Sequence, residues 1–129
     1  MRSSKPHIKY FDLAMVPMYF GFTDDSKAFD QEMRRLELEN PPSFFSSTPA
    51  VTYSLSNKKT GMTVCIVCMD KTRLKGDHNA MMALLVHEAV HVWQYALEAM
   101  NTQSSDCEFE AYTIQYLSQL MFDCVSKRK

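Results

Sequence analysis

The clearest feature of the chain is how its apolar positions change period along its length. After Thr23-Asp24-Asp25-Ser26, a cluster of residues suited to starting a helix, Ala28, Phe29, Met33, Leu36 and Leu38 recur at helical spacing. This predicts a helix that ends near Asn40, because Pro41-Pro42 cannot continue it. Val51 to Leu55 then alternates apolar and small polar residues, and Met62 to Met69 is an almost unbroken apolar run. With the turn-forming Asn57-Lys58-Lys59-Thr60-Gly61 between them, the two segments read as a β-hairpin whose second strand is the more buried. Lys71 to Gly76 is a polar loop. Asp77 is placed to cap a long helix over 78–100 that is apolar on nearly every side, the mark of an element central to a core. A polar connection, Asn101 to Ser105, leads to a second long helix from about Asp106 to Cys124. The aromatic stretch 9–22 fits either a strand or a packed loop, and residues 1–8 and 126–129 read as loose ends.

Composition adds bounds. The 129 residues suffice for one domain with its own core, and 46% hydrophobic residues with 12% aromatics describe a globular chain. A net charge of −1 argues against general affinity for nucleic acid or acidic membranes. Ala80 to Val86, the longest purely apolar run, is far too short to span a bilayer. The apolar stretch Leu13 to Phe22 resembles a signal segment only loosely, since Pro17 interrupts it and no cleavage site follows. A cytoplasmic location is expected. Of the four cysteines, Cys65 and Cys68 form C-x-x-C, but in a strand residues three apart point to opposite faces. They are expected to be buried thiols, with neither a redox nor a metal role.

The chemistry concentrates in His87-Glu88-Ala89-Val90-His91, an H-E-x-x-H. One helical turn separates the histidines, so both imidazoles leave the same face and can reach one tetrahedral zinc ion. Glu88 would then act as general base on metal-bound water. The competing reading is a pair of histidines hydrogen-bonded into a core. A catalytic site of this type needs a third protein ligand, and the second long helix offers two. Glu108 matches the E-x-x-A signature (Glu108 to Ala111) of zincins with a glutamate ligand, and Tyr112 and Gln115 share its face. Ser105-x-x-Glu108 is also a capping box. Glu110 lines up with Ile114, Leu117 and Met121 on a core stripe, where a carboxylate needs a reason to be. His78 falls out of phase with the pair, and His7 lies in the N-terminal arm.

Val86 to Gln94, followed by Glu108 to Gln115, resembles a family of small phage and prophage proteins described as zinc metallopeptidases. Gly21-Phe22 is similar as well, so the resemblance spans about residues 20–118. More broadly the motifs resemble the gluzincins. That resemblance implies one zinc ion per chain held by His87, His91 and Glu108, with Glu88 catalytic. Tyr112 stands where many gluzincins carry an aspartate that orients a ligand histidine.

The expectation is therefore a single α+β domain over 1–129, zincin-like and minimal. A small antiparallel sheet would pack on the central H-E-x-x-H helix, with the ligand helix beside it and the 24–39 helix completing the core. The expected activity is hydrolysis of a peptide or protein substrate. The alternatives are a zincin scaffold that acts by docking on a host protein without catalysis, and a purely structural metal site.

Overall fold

The computed structural model describes residues 8–13, 16–57, 59–103 and 106–126. The N-terminal arm with His7, the Ser105 end of the capping box and the tail 127–129 lie outside them.

Among the described residues, four strands and three helices form an α+β fold: β1 Lys9–Asp12, β2 Tyr19–Thr23, α1 Ser26–Leu36, β3 Ala50–Ser56, β4 Thr63–Met69, α2 His78–Ala99 and α3 Cys107–Ser126. A short 3-10 turn, Lys71–Leu74, precedes α2. The strands make one sheet in the order β1-β2-β4-β3. The expected hairpin is present, with β3 and β4 antiparallel and Thr52 opposite Val67. The sheet as a whole is not antiparallel, however. β2 runs parallel to β4, Phe20 opposite Cys65 and Phe22 opposite Val67, so the sheet is mixed. The 9–22 stretch supplies both β1 and β2, an antiparallel pair.

Parallel pairing puts β4 in the interior and covers both of its faces, which explains its nearly unbroken apolar sequence. Val64, Ile66 and Cys68 face α1, packing with Phe29, Met33 and Leu36. Cys65, Val67 and Met69 face the other way, into a larger core with Leu85, Ala89, Val92 and Trp93 of α2 and Leu117 and Met121 of α3. The helices thus form layers on opposite sides of the sheet, and Cys65 and Cys68 point away from each other as the strand period requires. Burial pushes the Cys65 thiol up to about 12, with the neighbouring Glu88 charge adding to the effect, and Cys68 is raised for the same reasons.

Local chemistry sets the ends of the elements. Asp25 Oδ1 accepts from the backbone N–H of Lys27 and Ala28 and starts α1. The helix stops at Leu36, before the prolines are reached, because Glu37 takes a left-handed conformation (φ 53°). The Leu36 carbonyl accepts from the Asn57 side chain of the β3–β4 turn at 2.8 Å, so a tertiary contact satisfies a helix end. Asp77 caps α2 through the Ala80 N–H, and Asp106 caps α3 through the N–H groups of Glu108 and Phe109. At Gly21 a Cβ would lie 2.9 Å from both the Tyr10 ring and Ile8, so the cross-strand aromatic requires glycine there.

Candidate metal centre

α2 lies against the sheet through Leu85, Ala89, Val92 and Ala96, all fully buried. Its helical period carries His87 and His91 to the opposite side, where His87 is exposed and His91 half-buried. The two rings meet edge to face, centroids 4.8 Å apart, with Nε2 of His87 and Nε2 of His91 separated by 3.2 Å. Two nitrogens bound tetrahedrally at about 2.0–2.1 Å from one zinc ion stand about 3.3 Å apart. The pair stands at nearly that spacing, which is also that of a hydrogen bond from one ring N–H to the other ring nitrogen, so the contact fits both a metal-site edge and the hydrogen-bonded pair. On its far side, His91 Nδ1 lies 2.9 Å from Gln94 Oε1. A proton on Nδ1, donated to that oxygen, leaves Nε2 with its lone pair toward His87, the tautomer that a metal ligand needs.

Glu88 sits one position around the helix, at the boundary between the exposed face and the core, and is only 3% exposed. Its Oε1 accepts the hydroxyl of Thr52 at 2.5 Å. Thr52 faces α2 because its register partner is Val67, which belongs to the α2 side of the sheet. The sequence offered no signal for this partner: Thr52 is one of several small polar residues on an alternating strand.

The two glutamates of α3 are placed differently. Glu108 is exposed in the first turn. Glu110 is half-buried and its Oε2 accepts the indole N–H of Trp93 at 2.8 Å. This bond supplies the reason for a carboxylate on the core stripe. Among the described residues, no three His, Cys, Asp or Glu side chains are gathered as a metal-holding group. The structure brings His87 and His91 together and leaves Glu108 and Glu110 apart from them. Tyr112 and Gln115 are exposed, and His78 is exposed at the start of α2.

No family model matches the chain, and no curated protein or solved structure is significantly similar to it. Among the described residues no helix is long and apolar enough to cross a membrane.

Proposed function

We propose that the chain is a zinc-dependent peptidase with a minimal zincin-like domain, in which His87 and His91 hold the metal and Glu88 moves the proton. The observation that carries this reading is the 3.2 Å approach of the two Nε2 atoms on an exposed helix face, beside a buried carboxylate. The donor set suits zinc, for which imidazole nitrogen is a preferred ligand. Bound there, zinc would polarise a carbonyl and bring the pKa of a water down to about 7.

The chain's own residues divide the remaining work. Gln94 fixes the His91 ring. Thr52 holds Glu88 through one carboxylate oxygen, which fixes the side chain's rotamer. Glu88 then takes a proton from the attacking water and returns it to the leaving amine. β4 is paired on both sides, whereas β3 is an edge of the sheet. An extended peptide adding to β3 would lie beside Thr52 and hence beside Glu88. Glu108 remains the carboxylate to test as third ligand, since Glu110 is engaged by Trp93.

Elemental analysis of the purified protein tests the metal site, beside His87→Ala, His91→Ala and Glu108→Ala. About one zinc per chain, lost in both histidine variants, supports the site; loss in Glu108→Ala would add that residue to it. Cleavage of a peptide library by the zinc form, abolished in Glu88→Gln, supports the activity. A folded protein that takes up no zinc when it is offered would overturn the proposal.

A further inference from the structure

The outer face of α2 is unusual for a helix that meets solvent. Ala83, Val86 and His87 are exposed there, Val86 at 40%, and Val90 and His91 are half-buried beside them. Between Asp77 and Glu98 the only charged residue is Glu88, which is buried and held by Thr52. The solvent side of a helix ordinarily carries charges. β3, packed on α2 through Thr52, has no charged residue either. On α3 the exposed carboxylates Glu108 and Asp123 lie toward the two ends, and Glu110 is engaged by Trp93. The histidine pair thus sits within an uncharged strip of helix, with Glu98 about 10 Å beyond His91 along the axis.

Such a strip suits a second copy of the same chain. In a twofold contact each surface meets itself, so a charge near the axis faces its own kind. This strip brings no like charges together. Its chemistry is also that of half a metal site. His87 and His91 bring two Nε2 atoms to 3.2 Å of each other, and among the described residues no three His, Cys, Asp or Glu side chains are gathered as a metal-holding group. Zinc takes four ligands. A second copy carries the same pair on the same strip, and two pairs make four imidazoles, a complete tetrahedral set.

Given zinc held by His87 and His91 as proposed above, we infer that two copies of the chain share one ion when zinc is scarce, each giving both histidines. That dimer is the latent form of the site, because four imidazoles leave no position for water. With zinc in excess each copy takes an ion of its own, and the open position that a catalytic site needs returns. A strip one helix wide buries well below the roughly 1,600 Å² of a standard interface, so the metal-free chain stays monomeric and zinc decides the assembly.

The test is sedimentation velocity on the full chain, stripped of metal and titrated with zinc chloride, with the zinc in each species read by elemental analysis. The expected result is a monomer without zinc, a dimer holding about one zinc per two chains at about half an equivalent, and a monomer holding about one zinc per chain in large excess. His87→Ala and His91→Ala should stay monomeric throughout. Ala83→Lys, at an exposed residue one turn before His87, should weaken the dimer about ten-fold or more and still take up zinc, one ion per chain. A monomer at every ratio, with one zinc per chain, would overturn the inference and leave the metal site standing. Folded protein that takes up no zinc would overturn both. A dimer already present without zinc, or one that survives in either histidine variant, would overturn the shared ion.

Discussion

The hydroxyl of Thr52, in the edge strand β3, donates to the buried carboxylate of Glu88 in α2 across 36 positions of sequence. This one bond ties the strand beside the candidate metal centre to the helix that carries it. Deleting it by Thr52→Val keeps the side-chain shape and leaves a buried carboxylate short of a donor. The expected cost is about 1–3 kcal/mol in urea unfolding. In a Glu88→Gln background the same substitution should cost less, and a double-mutant cycle should give a coupling of at least about 0.5 kcal/mol. Equal costs in both backgrounds would show that the charge of the carboxylate adds nothing to the bond, since the amide oxygen of a glutamine there can accept it as well.

The two glutamates of α3 should separate by stability. Glu110→Ala removes the acceptor of the Trp93 indole and is expected to cost about 1–3 kcal/mol. Glu108 is exposed, so Glu108→Ala should stay within about 0.5 kcal/mol of the parent in metal-free protein. Thermal melts in the presence of a chelator make the comparison, and a reversed order would contradict the assignment of Glu110 to the core.

Removing metal should leave the fold intact. The two apolar layers about the sheet are built from Phe29, Ile66, Val67, Trp93, Leu117 and their neighbours without any contribution from the histidine pair. Chelator is therefore expected to leave far-UV circular dichroism unchanged. Added zinc should raise the melting point only by mass action, about 2.7 kcal/mol at one hundred times the dissociation constant, and not in His87→Ala or His91→Ala. Unfolding on chelation would instead mark the site as structural.

Acid should find one weak point at Glu32. Burial works against its charge, but hydrogen bonds from Arg35 and from the Tyr10 hydroxyl outweigh it and hold its carboxyl below the usual 4.5. A depressed folded pKa contributes stability that is present above about 4.5 and lost as pH falls through the folded value. Glu32→Gln should therefore be less stable than the parent at pH 7, and the difference should shrink as pH falls below 4.5. A gap that stays constant from pH 7 to pH 3 would sink this account.

The thiols should be sorted by burial. Cys65, with its thiol pushed up to about 12, and Cys68, also raised, carry almost no thiolate at pH 8, whereas Cys107 is exposed. Iodoacetamide on the native protein should label Cys107 and spare the C-x-x-C pair until denaturant is added, as peptide mass mapping would show. Prompt labelling of Cys65 would mean that the strand opens readily.

Much of this was legible in one dimension, and for a local reason. A helical or strand period needs only the alternation of apolar positions and a capping side chain, so β3, β4, α2 and α3 emerge within about two residues of their ends. The same locality delivers the histidine pair, because four residues of helix fix which side chains share a face. What lay beyond reach was every feature that depends on a partner distant in sequence. The last carbonyl of α1, at Leu36, is met by Asn57 of the β3–β4 turn. The sheet is mixed because β2 pairs with β4 across more than forty residues. Glu110 has its reason in Trp93, on another helix, and Glu88 is held by a threonine that looks ordinary on its strand. The sequence by itself determined β3, β4, α2 and α3 and the spacing of the imidazoles, since these follow from local backbone geometry, but not β1, β2 or the end of α1. Only the tertiary structure decided which carboxylates are engaged and which faces are covered, since those depend on packing between segments that no local pattern encodes.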